Sequence, residues 1–181
     1  MQTIPLITDC ILRPIVQEDA QQLMAIKNNR EAAQWLEKDN SGYSIADIHA
    51  WINFHTNTSA NLILGIEDTT KHLLIGYAGL YDIDPVLGAC TFGILIGLPE
   101  YWNKGIGKAA AIAMTDMAFH TPGIHTIKLH VLNEHTHAIH LYMNIGFERV
   151  GLLKDYTKKN GKSKDVLVME KRHYGINDHL V

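Results

Sequence analysis

Three apolar, strand-like runs follow one another in the middle of this chain, and they most constrain how it can fold. They span residues 61–67, 73–81 and 89–96, and short segments rich in turn-forming residues separate them. Connections this short join antiparallel neighbours, because parallel strands need a crossover of about a dozen residues or more. The middle of the chain therefore predicts a three-stranded antiparallel meander.

Helices and further strands surround the meander in the sequence pattern. The predicted strands lie at 10–14 and 124–132, with a hairpin of 147–157 and 164–172 around Asn160–Gly161, and the predicted helices at 18–28, 45–57, 105–120 and 136–144. The pattern from Ser44 to Asp47 resembles a capping box that opens the second helix, and the polar residues 29–43 before it predict a loop. A mixed α/β (α+β) sheet with helices on both faces satisfies this order.

Length and composition exclude several classes of protein. The chain has 181 residues, which fits a single domain over 1–181, and 16 Lys and Arg against 19 Asp and Glu leave a net charge of −3. That balance argues against general nucleic-acid binding, which needs a concentrated basic surface.

No apolar run approaches the ~20 residues of a membrane span, and the first residues lack the pattern of a signal peptide. Cys10 and Cys90 form no disulfide or zinc pattern. We expect a cytoplasmic protein with no membrane or nucleic-acid partner.

The segment Tyr101–Trp102–Asn103–Lys104–Gly105–Ile106–Gly107–Lys108 carries the first chemical signal. It joins an apolar strand to a helix, whose first turn has unpaired N–H groups and the positive end of the helix dipole. Glycines let a ligand approach this backbone closely, so the segment predicts a diphosphate site, although a plain tight turn has the same pattern. A dinucleotide fingerprint fits less well, because Ala110 holds its last position and the segment follows a meander rather than the first strand of a parallel unit.

A second segment, from Val131 to Phe147, carries the second signal. Taken with the first, it resembles the GNAT superfamily of acyl-CoA-dependent N-acetyltransferases. Gly105–Ile106–Gly107 is similar to the end of that family's pyrophosphate motif, and Ala138, Leu141–Tyr142 and Gly146–Phe147 are similar to its A-x-x-LY-x-x-x-GF motif. Further similarity at Leu12–Arg13–Pro14, Glu18–Asp19–Ala20 and Tyr101–Trp102 resembles the branch of ribosomal-protein, spermidine and amino-sugar N-acetyltransferases. The resemblance covers roughly residues 10–172.

The resemblance implies a fold and a cofactor site. The implied sheet has seven mostly antiparallel strands and about four flanking helices, and it is splayed between its fourth and fifth strands, at 89–96 and 124–132. The implied co-substrate is acetyl-CoA, with pantetheine along the first of these strands and the diphosphate on the glycine turn. The residues implied to bind it are Leu95, Ile96, Gly97, Trp102, Asn103, Lys104, Gly105, Ile106, Gly107, Lys108, Asn133 and His135. Trp102 stands where the family has Gln or Arg. His135 stands where the family commonly has an asparagine, and Asn133 is a candidate to take the role of that asparagine.

The same resemblance implies the reaction. A primary amine attacks the acetyl thioester directly, and Tyr142 is the acid that protonates the leaving thiolate. The proton of the attacking ammonium would pass to Glu100, Asp82, Asp84 or water, and the sequence does not choose among these four.

The acceptor remains open between a polyamine, an amino sugar and a protein N-terminus. Residues 29–43 and the first two helices are expected to shape its site, with Trp35, Glu37, Asp39, Tyr43 and Trp51 suited to a cationic amine or to ordinary packing. A non-catalytic acyl-CoA-binding module is the alternative function, and a homodimer is possible.

Histidine is abundant, with 11 residues, but the cluster of His135, His137 and His140 lacks a known metal-ligand spacing. No metal site is therefore expected. Histidines beside the cofactor instead predict activity that is sensitive to pH near ~6.5, where free imidazole titrates.

Overall fold

The computed structural model describes residues 3–7, 9–37 and 42–173, which form one eight-stranded mixed sheet with helices on both faces. The strands are β1 Ile4–Pro5, β2 Cys10–Pro14, β3 Leu62–Asp68, β4 Leu73–Asp84, β5 Ala89–Ile96, β6 Thr126–Leu132, β7 Glu148–Lys159 and β8 Lys162–Arg172. The helices are α1 Ala20–Asn28, α2 Arg30–Ala33, α3 Ile45–Thr56, α4 Ile106–Phe119 and α5 Thr136–Asn144, with 3-10 turns at Gln17–Asp19 and Pro99–Tyr101. The strand order is β1-β2-β3-β4-β5-β6-β8-β7.

The predicted meander and closing hairpin are confirmed. β3, β4 and β5 pair antiparallel in sequence order, and β7 pairs antiparallel with β8 around Asn160 and Gly161. Both turn residues have positive φ values, which Asn and Gly tolerate better than other residues. Ser44 and Asp47 form the predicted capping box, in which the Ser44 side chain accepts the Asp47 N–H and Asp47 accepts the Ser44 N–H.

The structure adds two short elements to the predicted fold. β1 has two residues and pairs with β2, so the sheet has eight strands rather than seven. α2 is one turn of helix inside the segment that was predicted as a loop. The Asn29 side chain caps α2 by accepting the N–H groups of Glu31 and Ala32, and Ala32 and Ala33 are buried. Capping and burial therefore stabilise a helix that is too short to form alone.

The sheet separates two hydrophobic layers. On one face, α4 and α5 pack through residues such as Ala110, Met114 and Ile139. The small side chain of Ala110 lets α4 approach the sheet closely. On the other face, α1 and α3 pack through residues such as Leu23 and Ile48. Each face of the sheet is therefore covered by its own pair of helices.

β5 and β6 are the parallel pair of the sheet, and they pair over only three positions. Their ladder joins Ala89 to Thr126, Cys90 to Ile127 and Thr91 to Lys128, and then stops. β5 continues to Ile96 along β4, while β6 continues along β8, so the two strands separate beyond Thr91. This confirms the splayed pair that the resemblance implied.

No helix among the described residues is long and apolar enough to cross a membrane.

Candidate active site

The opening between β5 and β6 has backbone N–H and C=O groups of β5 along one edge. The Gly97 N–H donates to the Ile75 carbonyl at 2.9 Å, so odd-numbered residues at this end of β5 face β4. Because alternate residues of a strand turn their N–H and C=O groups to opposite edges, those of Ile94 and Ile96 face the opening. Of the predicted pantetheine positions, Leu95 and Gly97 thus turn their N–H groups towards β4. The sequence did not indicate Ile94 as a pantetheine position, because only the pairing register of β5 with β4 shows which residues face the opening.

The glycine turn leads directly into α4 at the open end of this gap. Gly105 is the residue before the helix and has a φ of +79°, and Asn103 has a φ of +58°. These two left-handed residues turn the backbone so that the first N–H groups of α4, from Ile106, Gly107 and Lys108, start beside the end of β5. Lys104 and Lys108 are exposed, so both ammonium groups are available to a diphosphate.

Trp102 packs beside this turn instead of pointing its N–H at the helix start. Its indole N–H donates to the Ile96 carbonyl at 2.9 Å, and its ring packs against the layer of α1 and α3. The indole thus ties the glycine turn to the end of β5. It has no second N–H donor for a phosphate oxygen.

Tyr142 lies on α5, on the face of the sheet that α4 covers. Its ring packs edge-on to Phe92 of β5 with centroids 6.3 Å apart, and it contacts Phe147 at 5.8 Å. Burial raises the pKa of Tyr142 to about 12, so the phenol stays protonated at neutral pH. Its hydroxyl makes no hydrogen bond with another described residue, which leaves the proton available to a ligand.

His135 immediately precedes α5 and packs against the segment that follows α2. Its ring stacks on Trp35, with centroids 4.2 Å apart and an angle of 23° between the planes. Burial, with a smaller contribution from His137, lowers the pKa of His135 to about 4. Because such an imidazole is neutral above about pH 5, His135 does not provide the titration near pH 6.5 that the sequence predicted. Asn133 is exposed, and its N–H donates to the Asp165 carbonyl.

Lys27 occupies the aromatic cluster that was expected to suit a cationic ligand. It is 3% exposed, and its ammonium lies over the rings of Trp51 at 4.4 Å, Tyr77 at 4.9 Å and Tyr43 at 5.0 Å. It also donates to the Tyr77 hydroxyl at 3.1 Å, and burial lowers its pKa to about 8. Trp51 and Tyr43 therefore bind a cation of this chain through cation–π contacts. Asp39, from the same predicted group, lies outside the described residues.

The three candidate bases lie away from the centre of the opening. Asp84 caps the turn between β4 and β5, where it accepts the N–H groups of Val86 and Leu87 at 2.8 and 3.0 Å. Glu100 follows the C-terminal end of β5. That end is roughly 23 Å from the end beside Asp84, because the strand rises about 3.3 Å per residue. Asp82 is exposed and lies one residue past the pair of Tyr81 with Thr91. None of the three is at the level of Phe92, where Tyr142 packs.

No group of three or more His, Cys, Asp or Glu side chains in the described ranges could hold a metal ion. His137 and His140 lie exposed on α5, and the His135 ring packs against Trp35.

Residues 9–148 match the acetyltransferase (GNAT) domain family. A spermidine N(1)-acetyltransferase of Vibrio cholerae is 30% identical over 156 residues, which cover 86% of this chain and 88% of that protein. A spermidine N(1)-acetyltransferase of Escherichia coli K12 is 26% identical over 160 residues, covering 87% and 83%.

Solved structures agree with this relationship. The Vibrio cholerae spermidine N-acetyltransferase in complex with CoA and spermine superimposes with a TM-score of 0.82 at 27% identity, over 91% of this chain and 95% of that one. A ribosomal L7/L12 alpha-N-protein acetyltransferase in complex with CoA shares the fold, with a TM-score of 0.82 at 16% identity over 94% and 98% of the two chains. The chain therefore belongs to the GNAT family and is an acetyl-CoA-dependent N-acetyltransferase.

Proposed function

We propose that this chain forms a single acetyltransferase domain that moves the acetyl group of acetyl-CoA to a primary amine by direct attack in a ternary complex. The opening between β5 and β6 carries this proposal. It offers backbone partners for an extended thioester, and Tyr142 borders it from one face. An amine entering from the face of α1 and α3 would reach the carbonyl carbon while the sulfur stays near Tyr142.

The cofactor would lie along β5 and across the start of α4. The backbone groups of Ile94 and the N–H of Ile96 would pair with pantetheine, and the N–H groups at 103–108 with both lysines would hold the diphosphate. Trp102 would support the turn rather than bind phosphate directly, because its N–H already serves the Ile96 carbonyl. His135 or Asn133 would contact pantetheine at the start of α5.

A polyamine is the first acceptor to test. The curated Vibrio cholerae relative is a spermidine N(1)-acetyltransferase, and the related structure holds spermine with CoA. Glu37 favours a cationic acceptor, because it brings a carboxylate to the face of the sheet from which the amine would enter. An amino sugar and a protein N-terminus remain the other two candidates.

The test is release of CoA thiol from acetyl-CoA in the presence of spermidine, spermine, glucosamine and a short peptide with a free N-terminus. Mass spectrometry of the product would identify the acetylated nitrogen. We expect rapid release with at least one of the polyamines and slow release with water alone. Absence of release above the water background with all four amines, by protein that binds CoA, would contradict the proposal and favour a non-catalytic acyl-CoA-binding module.

A further inference from the structure

Glu37 and His130 form a carboxylate–imidazole pair on the acceptor side of the opening. The Glu37 carboxylate lies 3.0 Å from Nδ1 of His130, although 93 positions separate the two residues in the chain. A carboxylate accepts only, so Nδ1 carries the proton in this bond. The neutral imidazole then has its lone pair on Nε2, which makes no hydrogen bond with another described residue.

The position of His130 on β6 brings it to the opening. The ladder of β5 and β6 ends where Thr91 meets Lys128, and His130 is two residues further along. Continuing that register places it across the gap from Gly93, where the Tyr81 ring lies 3.3 Å from the position that a Cβ would take. Leu129 and Val131 belong to the layer of α4 and α5, so His130 projects to the opposite face, where α1 and α3 lie. Tyr142 and His130 therefore border the opening from opposite faces.

Several contacts hold Glu37 in place above β6. Its backbone carbonyl accepts the Thr157 hydroxyl at 2.8 Å, and Trp35 two residues earlier stacks on His135. Further back, the Ala33 carbonyl accepts the buried Lys159 ammonium at 3.4 Å. The segment from Ala33 to Glu37 is thus attached at two points to β7 and at a third to the residue before α5.

Tyr156 and Lys128 are two other titratable groups near His130 among the described residues. The Tyr156 ring of β7 approaches it edge-on, with centroids 6.0 Å apart. Lys128 lies on the same face of β6, and its ammonium pairs with Glu170 of β8 at 3.7 Å. Glu37 is therefore the carboxylate that bonds the imidazole, and Lys128 is already paired.

We propose that His130 is the catalytic base that removes a proton from the acceptor ammonium, and that Glu37 is the positioning residue that holds His130 with Nε2 unprotonated. This inference rests on the proposed transfer to an amine. Neither residue is among the candidate bases that the sequence suggested. A base oriented by a carboxylate is a general solution to proton abstraction near neutral pH.

The reaction balances with the groups in hand. Nε2 of His130 takes one proton from the ammonium, and the free amine attacks the thioester carbonyl carbon. As the tetrahedral intermediate collapses, the C–N bond remains, the C–S bond breaks and Tyr142 gives its proton to the sulfur. The nitrogen that becomes the amide also loses a proton, and this proton returns through solvent to the Tyr142 phenolate. His130 is partly exposed and releases its proton to water, so one proton leaves for each acetyl group transferred.

The kinetic test compares wild type, His130→Gln and Glu37→Gln, with His120→Gln as the matched control. His120 is an exposed histidine at the end of α4. The measurement is kcat/KM for CoA release between pH 6 and 10, with the best amine acceptor. We expect His130→Gln to lose about 100-fold near pH 7, the lower range for a general base. The loss should shrink towards pH 10, because the free amine becomes abundant without enzymatic help.

Glu37→Gln should lower kcat/KM as His130→Gln does but by less, because the imidazole then lacks the carboxylate that orients it. A purely structural role would lower stability or raise KM, and the loss would not recover at high pH. Wild-type kinetics in His130→Gln would overturn the inference while leaving the proposed function intact. A wild type that acetylates no amine would instead refute the proposed function and the base together.

NMR of the protein labelled with ¹⁵N-histidine supplies a readout that does not need activity. We expect the neutral His130 ring to carry its proton on Nδ1, and Glu37→Gln to weaken that preference. A ring protonated on Nε2 in the wild type would overturn the inference.

Discussion

Replacing Tyr142 by Phe tests the proposed acid most directly, because the structure separates the chemistry of this residue from its packing. The ring contacts Phe92 and Phe147, and a phenylalanine keeps both contacts. The hydroxyl has no partner among the described residues, so its removal breaks no internal hydrogen bond. We expect the free energy of unfolding to change by less than about 1 kcal/mol.

The expected loss of kcat is about 10²- to 10³-fold, within the range for removal of a general acid. The affinity for CoA should stay close to that of wild type, because the phenol acts on the departing sulfur rather than on the bound diphosphate. A pKa of about 12 keeps Tyr142 protonated up to about pH 10. The wild type should therefore show no loss of activity from Tyr142 below that pH.

The assay is CoA release at saturating acetyl-CoA, together with calorimetric titration of CoA into each protein. Tyr101→Phe is the matched control, since its hydroxyl donates to Asp68 at 2.7 Å and accepts from Lys71 at 3.1 Å. This variant should lose about 1–3 kcal/mol of stability and keep its kcat. Wild-type kcat in Tyr142→Phe would refute the assignment of the acid, and a matched loss in both variants would trace the effect to stability.

Three further changes have expected outcomes. Gly105→Ala should destabilise the protein by about 1–2 kcal/mol and raise the KM for acetyl-CoA, because φ is +79° and the new Cβ meets Ile7 Cδ1 at 2.9 Å. Thermal unfolding measures the first effect and steady-state kinetics the second. Lys27→Met should remove a rise in stability of about 2 kcal/mol between pH 8 and 10, because folded Lys27, with a pKa of about 8, releases its proton before the unfolded chain does. Urea unfolding at both pH values measures this rise, and an equal rise in the variant would contradict the prediction. His135→Asn should leave the pH–rate profile unchanged between pH 6 and 8, because the pKa of His135 is about 4, and a shifted profile would refute this.

The elements of the fold were predictable where the signal is local. The capping box of Ser44 and Asp47 and the turn at Asn160–Gly161 depend on neighbouring residues, and both are confirmed. β5 was predicted with its observed bounds, since apolar residues and turn residues delimit it. α2 was missed because its stability comes from the Asn29 cap and from the burial of two alanines, and burial is not visible in a short sequence window.

The candidate site also has a local part and a tertiary part. Glycine at a helix start has a local reason, so the sequence predicts the turn at the start of α4. The proposed acceptor side depends on tertiary structure, because Glu37 meets His130 only when the segment after α2 crosses to β6. The three-dimensional structure also changes the interpretation of the aromatic residues. Trp51, Tyr43 and Tyr77 come from separate elements, and only their assembly shows that Lys27 fills the space among them.

The histidines show why residue type alone does not predict pH dependence. His135 belongs to the motif region, yet burial against Trp35 keeps it neutral above about pH 5. His130 lies outside both motifs, but it is partly exposed and its Nδ1 lies 3.0 Å from the Glu37 carboxylate. Replacement of His130 should consequently lower the rate most near pH 7, whereas replacement of His135 should leave the pH–rate profile unchanged. A profile that changes with His135 instead would place the titrating group beside the cofactor and contradict the assignment of the base.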